Sequence, residues 1–344
     1  MTSLTVALAI LGGVVLAGMI AHGAWTARKA SPRRPAVEPR EPVLHDAPGP
    51  EAVSTSHTPP PSLEARQGRR HVPRLDALID AIAVLTLDAP IGGGQLLAHL
   101  PPTRRAGTKP FLIEGLNADS GEWEPPEPSH QYSEVQAGVQ LANRGGALNE
   151  IEYSEFVQAI QPFCEAIGAM LDFPDMLEVV ARARELDAFA NQCDAQLAVH
   201  LHARTSAWSV SYIQHHAGRH GFVPGMVPGR LVLPSTEAGA PPVLSLSFDA
   251  MAALDDNPGQ AAVRDVTLSF DVPQTAPEAE PFVAWQASAQ ALSLGMDAAI
   301  VDDKGQPLSP QGFAAIGNEL SQLYEALAAR DLAAGSAATR RLFT

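Results

Sequence analysis

From Leu4 to Trp25 the chain reads LTVALAILGGVVLAGMIAHGAW, a stretch with no Asp, Glu, Lys or Arg. About 20 apolar residues in a row span a bilayer as a helix, and no other segment restricts its own structure so closely. The competing reading, a cleaved secretory signal, requires Lys or Arg ahead of a shorter apolar core. Here none precedes the run, while Arg28, Lys29, Arg33 and Arg34 follow it. Positive residues beside a span stay on the cytoplasmic side. Residues 1–26 are therefore expected to be a retained single-pass transmembrane helix, with a short N-terminus outside and a cytoplasmic body behind it.

The 30 prolines of the chain are unevenly spread. Residues 27–72 hold PRRPAVEPREP and HTPPPS and lack apolar periodicity. Such a segment cannot bury enough surface to offset its ordering entropy, so it is expected to be a disordered Pro-rich linker of considerable reach. The chain as a whole is 46% hydrophobic, enough for a core, and its 344 residues suggest two domains. The net charge of -15 argues against nucleic acid as a partner, because like charges repel. Two cysteines, Cys164 and Cys193, cannot make a disulfide framework and read as buried small hydrophobes in a reducing compartment.

The remainder alternates strands and helices, twice over. DAIAVLTLDAPI (Asp80 to Ile91) reads as a buried strand and GGQLLAHL as a short helix. KPFLIEGLN, GEWEP and YSEVQAGVQLAN read as further strands between turn signals. Phe156, Ile160, Phe163 and Ile167 make one helical stripe, and Met176, Val179, Ala183 and Leu186 make a second. The order then restarts with the strand DAQLAVHLHA, and a helix carries Trp208 and Tyr212. Strands follow at FVPGMVPGRLVLP, PVLSLSFD and RDVTLSFDVPQ, then a helix with Phe282, Trp285, Ala289, Leu292 and Met296. A hairpin turns at Asp303-Lys304-Gly305, and Ser309 and Pro310 start a last helix. Both halves place a strand, an acidic loop and a long amphipathic helix in sequence. The fold expected is a duplicated α+β unit, residues 73–192 and 193–344, with no hairpin evident between the last two helices of the first copy.

Chemical motifs are absent. PIGGGQLL lacks the Lys-Ser/Thr pair of a phosphate loop. HLHAR and HHAGRH put imidazoles close together, but no further Cys or carboxylate completes a metal set. No nucleophile elbow appears. The chain reads as a non-enzymatic binding module without cofactor or metal.

One stretch adds a resemblance. SAQALSLGMDAAIVDDKGQPLSPQGF (Ser288 to Phe313), with VTLSFDVPQ upstream, resembles the C-terminal domain of the ZipA family of bacterial cell-division proteins. The strand DAQLAVHLHA, the helix ending in HGF and the strand PPVLSLSF fall in that family's order, over roughly residues 194 to 335. The resemblance implies a split β-α-β fold, an antiparallel sheet with helices on one face. It further implies an inner-membrane adaptor whose open sheet face binds the C-terminal tail of FtsZ and tethers the division ring to the membrane. A tethered scaffold or sensor for a different peptide or ligand is the alternative.

The open face of the second copy should carry the residues that alternate with Leu197, Val199, Leu268 and Phe270, namely Gln196, Ala198, His200, Ser247, Thr267 and Ser269. These are small or polar where the family has large apolar contacts. Met226 and Val227, read as part of a neighbouring strand, could supply apolar surface. Alternatively the first copy binds, since Ile82 and Val84 make its first strand apolar on both faces; a third arrangement has one sheet face covering the other. The candidate peptide-binding residues are thus Ala198, Met226, Val227, Ser247, Ser269, Ile82 and Val84.

Overall fold

The computed structural model describes residues 74–254 and 261–344. The expected anchor (1–26) and linker (27–72) lie outside the described residues. Among the described residues no helix is long and apolar enough to cross a membrane. The fold is α+β, with antiparallel sheets and helices, and contacts divide the chain into two units.

The first unit opens with β1 (Asp80–Thr86), β2 (Ile91–Gly92) and α1 (Gly93–His99). Then come β3 (Arg105–Ala106), β4 (Lys109–Asn117), β5 (Trp123–Glu124) and β6 (Gln131–Gln140). A small hairpin of β7 (Ala142–Asn143) and β8 (Gly146–Ala147) leads into α2 (Glu150–Ile167), β9 (Met170–Asp172) and α3 (Met176–Cys193). The strand order is β3-β4-β6-β1-β9, with β2 added to β6 and β5 to β4. Register fixes sidedness: Ala83 pairs with Ala137 and Ala137 with Ile113, while Ile82 pairs with Gly138 and Gly138 with Leu112. Because side chains alternate across a strand, Ala81, Ala83, Leu85, Phe111, Ile113, Val135, Ala137 and Val139 share one face, and all are buried. Phe156 of α2 meets Phe111 edge-on at 5.6 Å between ring centroids.

Helix α2 is set at both ends by local chemistry. Asn149 accepts from the Ile151 and Glu152 N–H groups, and the Glu152 carboxylate accepts back from the Asn149 N–H, a capping box. Gly168 ends the helix at φ 69°, a left-handed conformation that costs a glycine little. The chain can therefore turn at once into β9, which pairs with β1 through Val84–Asp172 and Thr86–Met170. This short strand is the element missing from the sequence reading of the first copy; three residues are too few for alternation to register.

The second unit contains β10 (Gln196–Ala203), α4 (Val210–Gly218), β11 (Val223–Pro224), β12 (Arg230–Leu233), β13 (Leu244–Ser247) and α5 (Ala250–Ala253). It continues with β14 (Asp265–Asp271), α6 (Pro281–Met296), β15 (Ala298–Val301) and the start of α7 (Pro310–Ala328). Its sheet runs β11-β12-β13-β14-β10-β15. The buried side is built on two tryptophans. Trp285 donates its indole N–H to the Leu268 carbonyl at 3.0 Å and packs edge-on against Phe270 and Phe313. Trp208 donates to the Met296 carbonyl at 2.8 Å. The hairpin read from Asp303-Lys304-Gly305 is present, closed by the Asp302 N–H on the Gln306 carbonyl.

The boundary between the units does not follow a single cut near residue 193. Residues 271–279 and 316–344 belong with 71–196, leaving 197–270 and 280–315 as the second body. The reason is apolar surface: Leu327, Leu332, Ala334, Ala338, Leu342 and Phe343 join the core of the first sheet. An ion pair joins the same elements. Arg341, on the final helix α8 (Ala337–Leu342), donates to both Asp80 carboxylate oxygens at 2.8 and 2.6 Å, and Asp80 is buried.

Removing one partner of a buried pair leaves a charge uncompensated, at a cost of about 3–5 kcal/mol, whereas well-packed apolar replacement of both costs far less. Arg341→Ala should lower the denaturation midpoint of the first unit strongly. Asp80→Leu/Arg341→Met should recover most of that loss in the same urea titration.

Candidate functional site

Each sheet has a face opposite its helix-packed side, and the two differ in chemistry. On the second sheet this outer face carries Ala198, His200, Arg230, Val232, Ser245, Ser247, Thr267 and Ser269, placed together by the pairs Ser245–Ser269, Ser247–Thr267, Arg230–Ser247 and Val232–Ser245. The expected alternation holds, since Val199, Leu268 and Phe270 are buried on the other side. The face is largely hydroxyl-bearing, and its charged groups are committed. Arg230 donates to Ser245 Oγ at 2.8 Å. His200 sits between Thr267 Oγ1 at 3.1 Å and Asp303 Oδ1 at 2.9 Å, and His202 pairs with Asp265. No group of three or more metal-ligating side chains forms among the described residues. Ser269 is only 6% exposed, so a charge placed there would test folding before docking.

Met226 and Val227 are not strand residues. They lie in the turn between β11 and β12, inside the run PGMVPG, where Gly229 adopts φ 76° and ends the turn. Both project: Met226 is 103% exposed. The structure thus separates them from Ala198, Ser247 and Ser269.

The first sheet is the more apolar. Its outer face carries Ile82 and Val84 of β1, Leu112 and Leu116 of β4, and Gln136 and Gly138 of β6, aligned by Ile82–Gly138–Leu112 and Val84–Gln136–Glu114. Val84 is 44% exposed and Ile82 half-buried. Leu75 lies across the middle: a side chain at Gly138 would come within 2.4 Å of Leu75 Cδ2. Glycine there gives the segment before β1 its seat. Glu114 holds this segment, accepting from the Leu75 N–H at 3.0 Å and from Gln136 Nε2 at 3.0 Å, with Arg74 Nε at 3.5 Å. One end of the face is closed by the Asp80–Arg341 pair, and Met170 on edge strand β9 extends the other.

A polar cluster fixes the loop at that free end. Glu124 Oε1 accepts from Asn117 Nδ2 at 2.8 Å and from the Tyr132 hydroxyl at 3.0 Å, and meets His130 Nδ1 at 2.5 Å. Tyr132 also accepts from the Glu127 N–H at 2.7 Å. Burial opposes ionisation of Glu124, but the three donors outweigh it and hold its carboxyl below 4.5. The same hydrogen bond to Glu124 raises His130 above 6.5. Sequence reading missed this cluster because its members are scattered through loops and strand ends. The GEWEP and HQY stretches offered composition but no spacing. Neither a known protein family nor a curated protein matches this sequence.

The sign of the linkage follows from these directions. The contribution of His130 is fully present below its ordinary pKa and is lost as pH rises through the raised value. That of Glu124 is present above its ordinary pKa and lost as pH falls through the depressed one. The loop is held best between about pH 4.5 and 6.5, the ordinary values of the two groups. An NMR titration of the His130 ring should give a midpoint above 6.5, falling back toward it in Glu124→Gln.

Proposed function

We propose that this chain is a membrane-anchored cell-division adaptor that takes the C-terminal tail of FtsZ on the outer face of its first sheet. In this role it tethers the division ring to the inner membrane. The ZipA-like stretch 288–313 supports the reading, as does the layout of apolar span, proline-rich linker and folded body. The element orders support a duplicated split β-α-β unit. In each sheet the opening strand lies between the strand that precedes the long helix and the short strand that follows it, β6-β1-β9 in one and β14-β10-β15 in the other.

The observation that carries the assignment to the first unit is the contrast between the outer faces. A docking tail loses chain entropy and recovers it through a few apolar anchors. The hydroxyl-bearing face of the second sheet provides no large ones. Leu75, Ile82, Val84, Leu112 and Leu116 provide several on the first, in a strip that suits an extended or helical segment. On this reading Ile82 and Val84, of the candidates read from sequence, belong to the docking face, and Ala198, Ser247 and Ser269 do not.

The test is tail-peptide binding by the full chain. Val84→Lys and Leu116→Lys should weaken it by about five- to thirty-fold, the 1–2 kcal/mol of a lost anchor. Ala198→Glu should leave it unchanged, and the Val84 change should move thermal stability by no more than about 0.5 kcal/mol. A loss with Ala198→Glu alone would return the site to the second sheet. A wild-type chain that ignores the FtsZ tail would favour a scaffold for a different peptide.

A further inference from the structure

Strand β4 has a gap in its outer edge. Strand β3 covers it only at Lys109 and Pro110, through Ala106 and Arg105, and β5 only at Gly115 and Leu116, through Glu124 and Trp123. Between them, residues 111–114 have no cross-strand partner on that side. Phe111 donates its N–H outward to the Arg104 carbonyl at 2.9 Å. Backbone direction alternates along a strand, so the N–H of Ile113 points outward as well, into the gap.

The gap opens into a cleft of about 220 Å³. Leu97 and Leu100 wall it on one side, Pro125 and Pro126 on the other, with Phe111 and Ile113 at its base. The walls are fixed to one another. A side chain at Gly93, the first residue of α1, would come within 1.8 Å of the Glu127 carbonyl oxygen, and the Gly93 N–H donates to the His130 carbonyl at 2.8 Å. The Glu124 cluster holds the proline wall from behind. The cleft is thus preformed, which lowers the entropy cost of filling it.

Arg104 stands in the lining. Among the described residues its guanidinium has no hydrogen-bond or ion-pair partner, while Arg74, Arg144, Arg184, Arg330 and Arg341 each face a carboxylate. Arg104 is an exposed residue, and partial desolvation beside these apolar walls holds it below the usual arginine range. The one carboxylate in the lining, Glu114, makes no ion pair with it and is held instead by Leu75, Gln136 and Arg74. An unpaired guanidinium at the rim of an apolar cleft, beside an outward backbone N–H, offers a carboxylate a fork of donors.

We infer that this cleft binds a carboxylate carrying a short branched apolar group, with the carboxylate on Arg104 and the Ile113 N–H and the apolar body between Leu97, Leu100 and the two prolines. The covering strands β3 and β5 leave no room for a long added strand. The ligand is therefore a free small acid or the last residue of a polypeptide, and both offer the same chemistry. This site is at the sheet edge, and it holds or fails independently of tail docking on the outer face.

The probes are 4-methylpentanoate, its neutral amide, and the tripeptide acetyl-Gly-Gly-Leu as the free acid, titrated into the full chain with methyl NMR at Leu97, Leu100 and Ile113. At least one acid should shift these methyls saturably, and the amide should bind about tenfold more weakly than 4-methylpentanoate, about 1.4 kcal/mol. Arg104→Gln should bring the acid down to the level of the amide while leaving the free spectrum in place, since the side chain holds no partner to lose. Leu97→Trp should fill the cleft and abolish both. Tighter binding of the tripeptide identifies a chain end as the natural occupant, and binding of 4-methylpentanoate alone identifies a free acid. Equal binding of acid and amide, an unchanged affinity in Arg104→Gln, or no response to either acid would overturn the assignment.

Discussion

Asp80 is buried on the first strand of the first sheet, and it is accommodated there by Arg341, 261 positions further along the chain, together with the Asp76 N–H. Burial raises its pKa and exceeds the opposing effect of the Arg341 hydrogen bonds. The net contribution of such a buried pair to stability is small even though breaking it is costly, and the pair joins the final helix to the first strand. The outer face takes its shape from that arrangement. Arg341 also donates to the Arg74 carbonyl at 2.7 Å, fixing the start of the segment whose Leu75 crosses Gly138. One interaction therefore sets both the end of the apolar face and the residue laid over its centre.

The two sheets carry different surfaces. Three strands of each share neighbour relations, β6-β1-β9 and β14-β10-β15, and both inner faces are apolar. The outer faces differ. One has Ser245, Ser247, Thr267 and Ser269 in register; the other has Ile82, Val84, Leu112 and Leu116. A change of face chemistry needs no change of fold, since outward residues on a strand contribute little to the inner core.

Much of this was legible in the sequence. The alternation in DAQLAVHLHA and VTLSFDVPQ placed Val199, Leu268 and Phe270 inward, as the structure has them, and Thr267 and Ser269 on the opposite face, where Ser269 is nevertheless buried. Stripes at steps of three and four located α2 and α3. Features that depend on distance along the chain were not legible. Lys109 is buried against Thr108 and Asn143, with Glu152 3.9 Å away, and nothing near it in sequence announces that. The assignment of residues 316–344 to the first core was hidden for the same reason: an amphipathic stripe states that a face will be covered, not by what. Met226 and Val227 are turn residues although valine suits a strand, because the flanking prolines and glycines of PGMVPG turn the chain.

The discontinuous make-up of the first unit has a consequence for its synthesis. Its sheet is translated early, but Leu327, Leu332, Leu342 and Phe343, which complete its core, emerge only after the whole of residues 197–315. During that interval the first unit waits with part of its apolar interior uncovered. The unit whose sheet is made first is therefore the one that cannot complete its core until the last residues of the chain are released.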